Sequence, residues 1–588
     1  MRSFKKIYKE AENKIAGIAA APGIVIGKTY LFTKEKLEIN DSPITDIDEA
    51  KRNFEEALKK SKKELDKVFA IAKEKMEETR AAIFEAQVMI LDDPVLLKNI
   101  ESRIEKECKQ PEYIVNDEIS KYQELMKKSN ESYMKDRAND IEDIKNRIIR
   151  NLQKKRWQSK ISEGMIVVSD TLTPADTILL SRSNVQGFVT DHGGLTSHAA
   201  IISRSLNIPA VVGAHNATTK IKEGDTIIVD GFHGYILLNP SEEQIIFFKE
   251  KKQRHVDLQK GLEEYKEKKA LTKDGKEIKL LANVDVSGEI DMVITCGAKG
   301  IGLYRTEQIL DEVGEYPSED EQVRIYSNLS SRIYPEPLTI RAYDIGGDKF
   351  RFLDFQEPNP FLGMRGIRLL LNNPVLFKTQ IRAVLRASQN KNIMFMLPMV
   401  STINEIHQSK GIIEQCKKEL RSEKMEYDKN LKLGIMVEVP SAAVMAREFA
   451  REVDFLSIGS NDLIQYMMAV DRGNDLVSDL YQEFSPVVVR TISHIVAEAK
   501  KEHKPVSLCG EMAADTLALP LLLGLGLDSL SMSPATILYA KRIISSIEFK
   551  KAKDLAEECL SYTHEVEIVD RVERFFKDNS IFRTRNIL

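Results

Sequence analysis

The amino-acid sequence predicts a multidomain α/β protein with a C-terminal (β/α)8 barrel. Three observations support this fold class. Short Val- and Ile-rich segments flank a long region of helical pattern, a highly charged segment with a single Gly follows, and eight strand-like segments then alternate with helical ones. A chain of 588 residues is also too long for one hydrophobic core, so we expect several domains.

The N-terminal region begins with strand-like sequence and then becomes helical. Residues 14–33 mix small and β-branched residues with Gly and Pro, which predicts short strands and a turn. From about Ile44, apolar residues recur at helical spacing as far as about residue 155. Pro94 and Pro111 mark helix boundaries. We therefore predict an all-helical bundle over 35–155, with one charged face either solvated or docking a partner protein.

Strand-like sequence returns after Gly164 and resembles the opening strands. The segments are GMIVVSD, VQGFVTD, PAVVGA, DTIIVDG and YILLN. This similarity predicts one α/β domain, built from 1–34 and 156–240, into which the helical bundle is inserted. Residues 241–270 are charged and nearly free of turn-forming residues, which predicts a helical linker that lets two halves of the chain move.

A glycine-containing turn within the α/β domain leads into a predicted helix. In TDHGGLTSHAAIISR, a strand ends before Gly193 and Gly194, and Thr196 or Ser197 is expected to cap the helix that follows. His198 then falls in the first turn, where free backbone N–H groups and the helix dipole attract anions. This pattern fits either an ordinary capped helix or a histidine that carries a phosphoryl group.

The predicted barrel covers 271–588. Its strand-like segments are IKLLANVDV, GIGLYR, LTIRAYD, IMFMLPMV, LGIMVEV, FLSIGS, PVSLCGE and DSLSMS. Because active sites of such barrels lie at the C-terminal ends of the strands, polar residues at those ends are candidate functional residues. They are Arg305, Arg341, Lys349, Arg365, Glu438, Asn461, Asp462, Arg472 and Cys509.

These side chains point to a particular kind of substrate. Arginine binds phosphate and carboxylate through a planar fork, and two carboxylates supply the oxygen ligands that Mg²⁺ prefers. Each residue also has a structural explanation, because an arginine or Glu438 could form an ion pair and Cys509 could simply be buried. Polar residues at successive strand ends together favour a site for a small molecule with phosphate and carboxylate groups.

Composition excludes several classes of protein. The formal net charge of −4 provides no overall basic field for nucleic acid or an anionic membrane. We find no apolar run long enough for a membrane span and no secretory signal at the start. The five cysteines are scattered without a C-x-x-C pair, which favours reduced thiols and a cytoplasmic protein.

The motifs together resemble those of enzyme I of the bacterial phosphoenolpyruvate:sugar phosphotransferase system, within the wider phosphoenolpyruvate-utilising enzymes. The resemblance covers essentially the whole chain. It is carried by GIAAAPGIVIGK, GGLTSHAAIISRSLNIPAVVG, GIGLYRTEQIL, DIGGDK, NPFLGMRGIR, GIMVEVPSAA, DFLSIGSNDLIQY, DRGND and CGEMA.

The resemblance implies a role for each candidate residue. His198 matches the histidine that accepts phosphoryl on Nε2, and Thr177 matches the residue that orients its other ring nitrogen. Cys509 matches the group that protonates the enolate of pyruvate. Glu438 and Asp462 match Mg²⁺ ligands. The residues that match phosphoenolpyruvate-binding groups, or plausibly assist them, are Arg305, Arg341, Asn461, Asp462, Arg472, Lys349 and Arg365.

The resemblance also implies a fold and partners. The α/β domain corresponds to a swivelling phosphohistidine domain, and the bundle at 35–155 to the region that docks the phosphocarrier protein HPr. The barrel corresponds to the domain that binds phosphoenolpyruvate and forms a homodimer. Three residues depart from the enzyme I pattern: Leu195 replaces Arg, Ala342 replaces Thr, and His192 is an unusual neighbour of the glycines. These departures bear on the reactivity of His198 and on the binding of HPr.

Three alternatives remain at this point. A dikinase or phosphoenolpyruvate synthase would need a nucleotide-binding domain, whereas the first 150 or so residues look helical without a phosphate-binding glycine loop. The nitrogen-system paralogue of enzyme I usually carries an additional sensory domain, and we see none before Ile15. A catalytically inactive scaffold should lack a motif residue, and none is missing.

Overall fold

The computed structural model describes residues 13–33, 37, 39–75, 84, 87–88, 90–128, 132–155, 161–194, 197–285, 289–309, 316–346, 357, 359–472, 474, 477 and 480–581. The chain forms two compact units that divide between Val256 and Asp257. Within the predicted helical bundle, the segment EETRAAIFEAQVMIL falls mostly outside the described residues. Leu195, Thr196 and Lys349 also lie outside them.

An eight-stranded sheet forms the framework of the first unit. Its strands, in spatial order β1-β8-β7-β3-β4-β5-β6-β2, include a parallel run from β3 to β6. The strands are β1 Lys14–Ala16, β2 Ile18–Ala21, β3 Ile24–Phe32, β4 Ile166–Ser169, β5 Gly187–Thr190, β6 Ala210–Val212, β7 Thr226–Asp230 and β8 Tyr235–Leu238. Strands that come before and after the helical region therefore share one sheet, as the sequence predicts.

Long helices fill the interval between β3 and β4. They are α1 Ile47–Lys75, α2 Pro94–Glu107, α3 Pro111–Lys128 and α4 Ser132–Leu152. Asp93 caps α2 by accepting hydrogen bonds from the backbone N–H groups of Val95 and Leu96, as expected for an Asp-Pro helix start. The buried faces of these helices form a separate apolar core, which includes Phe54, Leu65 and Ile100.

Shorter helices lie in the rest of the first unit. They are α5 Pro174–Ser181, α6 His198–Ser205 and α7 Ala217–Lys220, and α8 Glu242–Glu263 covers most of the predicted linker and crosses the division between the units. Leu180 of α5 and Ala199 and Ala200 of α6 share an apolar cluster with Val167 and Phe188 of the sheet. This packing fixes α5 and α6 on one face of the sheet.

The second unit contains a closed barrel of eight parallel strands. The strands are β9 Lys279–Val284, β10 Ile301–Tyr304, β11 Leu338–Arg341, β12 Ile393–Leu397, β13 Lys432–Val437, β14 Phe455–Ile458, β15 Val506–Leu508 and β16 Ser529–Met532. They pair in sequence order, and β16 pairs with β9 to close the barrel. All eight predicted strands are present, so the predicted fold class is confirmed.

Helices surround the barrel. They are α9 Ile290–Thr295, α10 Glu319–Ile333, α11 Ile367–Asn372, α12 Pro374–Ala387, α13 Ile403–Ser422, α14 Pro440–Val444, α15 Ala446–Glu452, α16 Ser460–Met468, α17 Pro486–Lys501, α18 Glu511–Ala514, α19 Leu519–Leu525, α20 Pro534–Ser545, α21 Phe549–Cys559 and α22 Glu565–Asp578. Within the described part of the chain, no helix is both long and apolar enough to cross a membrane.

Candidate functional site

The C-terminal ends of the barrel strands surround a polar cavity of about 460 Å³. Eight of the nine barrel residues predicted from the sequence line this cavity, and the ninth, Lys349, lies outside the described residues. The eight are Arg305, Arg341, Arg365, Glu438, Asn461, Asp462, Arg472 and Cys509.

Strand geometry explains how residues distant in sequence meet there. Arg341 is the last residue of β11, and Arg305, Glu438 and Cys509 each directly follow their strand. Parallel strands present their carboxyl ends at the same rim of a barrel, so these side chains converge. Asn461 and Asp462 lie slightly further along the chain, in the first turn of α16.

Arg341 is buried among carboxylates. Its guanidinium forms ion pairs with Glu307 at 3.1 Å and Asp344 at 3.2 Å. Burial alone would lower the pKa of Arg341, but the negative charges of Glu307, Asp344 and Glu438 outweigh it and raise that pKa. Its Nε atom is buried and has no hydrogen-bond partner within the described residues.

Arg365 bridges two acidic residues. It donates to Asp344 at 2.8 and 3.0 Å and to Asp462 at 3.1 and 3.2 Å. It also donates to the Tyr466 hydroxyl at 3.3 Å. Burial opposes the charge of Arg365, yet the two carboxylates raise its pKa, so the guanidinium remains cationic. This bridge connects the segment after β11 to the helix after β14.

Glu438 is a buried carboxyl group beside other acids. Its Oε1 accepts a hydrogen bond from the Met399 backbone N–H at 2.6 Å. Burial, reinforced by the charges of Asp462 and Asp344, raises its pKa to about 8, against the opposing effect of Arg341 and Arg365. A Cβ atom on Gly459 would lie 2.8 Å from Glu438 Oε2, so this position favours glycine.

The donor set of the cavity fits a hard divalent cation that is bound together with a ligand. No group of three or more His, Cys, Asp or Glu side chains in the described ranges is arranged to hold a metal on its own. Glu438 and Asp462 nevertheless line the same cavity and provide oxygen donors. Their mutual repulsion would be relieved by a cation, and substrate oxygens and water would complete its coordination.

Cys509 presents a buried thiol to the cavity. Its Sγ atom lies 3.5 Å from the carbonyl oxygen of Ile458, to which its backbone N–H also donates at 3.0 Å. Burial raises the pKa of the Cys509 thiol, although the neighbouring Ser457 opposes the rise. The thiol is therefore protonated at neutral pH, as a proton donor must be.

The remaining residues form a more exposed rim. Arg305 donates to both carboxylate oxygens of Asp285 at 2.8 and 3.0 Å. Arg472 lies 3.5 Å from the Glu511 carboxylate, which also accepts from the Asn461 side-chain amide at 3.0 Å. These arginines can exchange a protein carboxylate for an anionic ligand at little cost, because exposed ion pairs are weak.

Several lining residues were not among the predicted site residues. They are Asp285, Glu307, Gln308, Asp344, Met436 and Glu511. A polar residue directly after a strand was the signal used for the others, and it would also have identified Asp285. Met436 belongs to a buried apolar cluster that includes Leu303 and Cys509. Its sequence pattern does not distinguish it from any other buried strand residue.

The histidine segment of the first unit folds as predicted. Strand β5 ends at Thr190, α6 begins at His198, and Ser197 is its N-cap, accepting from the Ala200 N–H at 3.4 Å. Gly193 has a φ of +118°, and a Cβ there would lie 3.0 Å from the Ser197 hydroxyl, so glycine is required. His198 is thus the first helical residue.

Thr177 lies on α5, a helix that the sequence analysis did not predict. Its side chain is buried, and its hydroxyl donates to the Thr173 carbonyl oxygen at 2.9 Å. The oxygen retains lone pairs that could accept a second hydrogen bond. Ile178 of α5 and Ile202 of α6 share an apolar cluster, so the two helices pack together. The orienting role of Thr177 stays a prediction.

Comparison with known proteins gives matches along the chain. Three models of phosphoenolpyruvate-utilising enzymes match: the N-terminal region at 16–137, the mobile domain at 161–234 and the phosphoenolpyruvate-binding domain at 259–549. A solved NMR structure described as enzyme I (nEIt) is 40% identical, with a TM-score of 0.38, and covers 41% of this chain and 99% of its own.

Curated relatives match over nearly their whole length. The phosphoenolpyruvate-protein phosphotransferase of Staphylococcus carnosus is 41% identical over 569 residues, which is 96% of this chain and 99% of the relative. That of Geobacillus stearothermophilus is 41% identical over 96% of this chain and 98% of the relative. With this identity along the full length, and with a barrel cavity built from the expected residues, the chain belongs to the phosphoenolpyruvate-protein phosphotransferase family of phosphoenolpyruvate-utilising enzymes.

Proposed function

We propose that the protein transfers the phosphoryl group of phosphoenolpyruvate to Nε2 of His198 and then to the phosphocarrier protein HPr, releasing pyruvate. This is the first step of sugar uptake by the phosphotransferase system. The observation that carries the proposal is the barrel cavity, whose lining includes arginines, the carboxylates of Glu438 and Asp462 and a protonated thiol. The names of the curated relatives support the same activity.

Phosphoenolpyruvate would be held mainly by the arginines of the cavity. Arg305 and Arg472 lie on the exposed rim and are suited to the mobile phosphate, while Arg341 is buried and has an unused Nε–H. Asn461 offers a side-chain amide, and Lys349 and Arg365 are further candidate contacts. Guanidinium groups suit the substrate because they bind both carboxylate and phosphate through paired hydrogen bonds.

A divalent cation is expected, since the family uses one, and we propose that it is Mg²⁺. Glu438 and Asp462 would hold it. When bound, the cation supplies charge neutralisation for the phosphate and enolate oxygens. The chain's own residues contribute to the same electrostatic task, because Arg341 and Arg365 keep positive charge beside these carboxylates.

His198 is the proposed acceptor. It is the first residue of α6, and a phosphoryl group bound there would be stabilised by free backbone N–H groups and by the positive end of the helix dipole. A neutral imidazole attacks phosphorus in line as the bond to the enol oxygen breaks. The hydroxyl oxygen of Thr177, on the neighbouring helix α5, would accept a hydrogen bond from the N–H group of the other ring nitrogen and so fix the reactive tautomer.

Cys509 is the proposed proton donor for the enolate that remains. The proton moves from Sγ to C3, the electron pair of the carbon–carbon double bond forms the new C–H bond, and the C2 oxygen becomes the ketone of pyruvate. The resulting thiolate recovers a proton from water after pyruvate leaves. Burial favours this cycle because it makes the thiolate less stable than the thiol.

The domain assignments follow from this function. We assign the phosphohistidine domain to 1–34 and 156–240, HPr binding to 35–155, the linker to 241–270, and phosphoenolpyruvate binding and dimerisation to 271–588. One histidine that serves two partners has to move between them, and the linker is the segment expected to permit this. Deleting 35–155 should remove transfer to HPr while leaving phosphorylation by phosphoenolpyruvate.

An apolar groove on the barrel unit supports the proposed homodimer. It has a volume of about 640 Å³, and its lining includes Pro440, Val444, Met467 and Val487. The Val444 residue is 73% exposed, which is unusual for a large aliphatic side chain next to other apolar residues. A second copy of the chain is the proposed occupant, since a symmetric interface places the same patch on both subunits.

The activity can be tested by transfer to purified HPr-like proteins. We expect phosphoenolpyruvate and Mg²⁺ to support phosphorylation of one or more carriers without ATP. Dependence on ATP would instead indicate a dikinase or synthase. A panel that includes the nitrogen-system carrier distinguishes the sugar-uptake role from that of the regulatory paralogue.

A further inference from the structure

Asn283 connects three elements of the barrel beside Cys509. It lies on β9, and its Nδ2 donates to the backbone carbonyl oxygen of Cys509 at 3.0 Å. Its Oδ1 accepts from the hydroxyl of Ser531, on β16, at 2.6 Å. The first bond fixes the orientation of the amide, because a carbonyl oxygen can only accept and a flipped amide would turn Oδ1 toward it.

The sheet does not supply this contact. The register between β15 and β16 ends with the pair Leu508 and Leu530, so the Cys509 carbonyl lies beyond the ladder. A side chain from β9, two strands away in the barrel, provides the donor instead. Cys509 thus has its N–H held by Ile458 of β14 and its C=O held by Asn283 of β9.

The surroundings leave little room for adjustment. A Cβ atom on Gly510, directly after Cys509, would lie 1.8 Å from the Ser460 hydroxyl oxygen. A Cβ atom on Gly302 of β10 would lie 2.5 Å from the Ser531 hydroxyl oxygen. Both glycines let neighbouring side chains approach the backbone closely, so the segment that carries the thiol and the serine that bonds to Asn283 are tightly packed.

We propose that Asn283 is a positioning residue that sets the direction of the Cys509 thiol, so that the enolate is protonated on one face. With both polar groups of the Cys509 backbone held, the Cα–Cβ bond has a fixed direction and Sγ faces the cavity from one side. Without the amide, the carbonyl loses its donor and the thiol loses its alignment, and water can protonate C3 from either face. The inference rests on the proposed function.

The test follows the stereochemistry of the pyruvate methyl group. Phosphoenolpyruvate labelled at C3 with deuterium and tritium in defined positions is converted in the presence of Mg²⁺ and HPr, and pyruvate is trapped at once by reduction to lactate. Wild-type protein should give one methyl configuration. Asn283→Ala should give largely racemic methyl groups and slow pyruvate formation roughly ten- to a hundredfold.

Asn392, at the N-terminal end of a barrel strand and so away from the cavity, provides a matched control. Asn392, just before β12, also accepts from a serine hydroxyl, that of Ser330, at 2.6 Å and donates to backbone carbonyls at 2.9 and 3.0 Å. Asn392→Ala should lower stability yet retain one methyl configuration. This comparison separates positioning of the thiol from a general loss of packing, which would affect both variants alike.

The outcomes are distinct. A single methyl configuration and a control-like rate for Asn283→Ala would overturn the proposal. If that variant does not fold, Asn283→Asp replaces it, since a carboxylate still accepts from Ser531 but cannot donate to Cys509; retained configuration there would equally reject the role. Absence of pyruvate with the wild type would reject the proposed function itself, whatever the variants do.

Discussion

Arg305 donates through one nitrogen, Nη1, to both carboxylate oxygens of Asp285, at 2.8 and 3.0 Å. The two residues directly follow the adjacent strands β10 and β9, and both line the cavity. An anionic substrate that binds Arg305 must therefore compete with a carboxylate of the protein. We therefore expect Asp285 to affect the affinity for an anionic substrate, which the sequence motifs did not indicate.

Replacing Asp285 should strengthen substrate binding. In Asp285→Asn, Arg305 loses a competing anion and the cavity loses one negative charge. We expect KM for phosphoenolpyruvate to fall roughly two- to fivefold, the size expected for a partly exposed ion pair. Steady-state kinetics at constant Mg²⁺ measure this change. Asp291→Asn, which removes another aspartate–arginine pair, with Arg332, should leave KM unchanged. A higher KM for Asp285→Asn would mean that Asp285 positions Arg305 for binding.

Glu438 should make the metal-free protein less stable as the pH rises. Its pKa is raised from 4.5 to about 8 in the folded protein, so folding favours the protonated form. The resulting stabilisation is complete below about pH 4.5 and is lost progressively as the pH rises through about 8. Urea unfolding between about pH 5 and 9 without metal measures this trend. Glu438→Gln should remove this contribution to the pH dependence of the free energy of unfolding. An unchanged pH dependence would contradict the raised pKa of Glu438.

Metal affinity should change with pH in the opposite direction. Because a divalent cation binds the carboxylate and not the carboxylic acid, its affinity should rise up to about tenfold per pH unit below the pKa of Glu438. Calorimetric titration with Mg²⁺ and a non-reacting analogue of phosphoenolpyruvate measures this dependence. Affinity that does not change between about pH 6 and 8 would contradict metal binding by a Glu438 carboxyl group with this raised pKa.

The thiol of Cys509 should act after phosphoryl transfer. Cys509→Ala should slow pyruvate formation while the protein remains folded, because phosphoryl transfer does not need the thiol but protonation of the enolate does. Rapid-quench measurements of labelled protein and of pyruvate separate the two steps. An unchanged rate of pyruvate formation would show that another group supplies the proton. Cys559→Ala, which changes a buried cysteine that does not line the cavity, is the control.

The apolar groove should control association of two copies. Val444→Lys places a charge on a side chain that is 73% exposed in that groove, and we expect the dimer to dissociate at least tenfold more readily. Light scattering across a concentration series measures this change. Val375→Lys alters a similarly exposed valine, 79% accessible, that does not line the groove. Equal association by both variants would reject this surface as the interface.

The sequence was most informative where one physical rule covers many residues. The alternation of strands and helices predicted the barrel, and the barrel rule then predicted that Arg341, Glu438 and Cys509 share a cavity. A Gly turn followed by a cap predicted that His198 lies in the first turn of a helix. In each case, local periodicity or local backbone geometry determines the outcome.

Pairing between distant residues could not be predicted in the same way. Arg365 bonds to Asp462, which is 97 residues away, and nothing in the local pattern of either selects the other. Asn283 is one polar residue on a predicted strand. Its proposed positioning role depends on how β9, β15 and β16 align in the barrel. The raised pKa of Glu438 likewise comes from burial and from the carboxylates of Asp344 and Asp462 on other segments, which are properties of the folded barrel.

The central claim is that His198 carries the phosphoryl group, and one labelling experiment tests it most directly. Wild-type protein incubated with radiolabelled phosphoenolpyruvate and Mg²⁺ should acquire a label that is acid-labile and base-stable, as expected for phosphohistidine. His192→Ala, which alters an exposed neighbouring histidine paired with Asp170 at 2.9 Å, should retain the label. His198→Ala should acquire none. Undiminished labelling of His198→Ala would contradict the account.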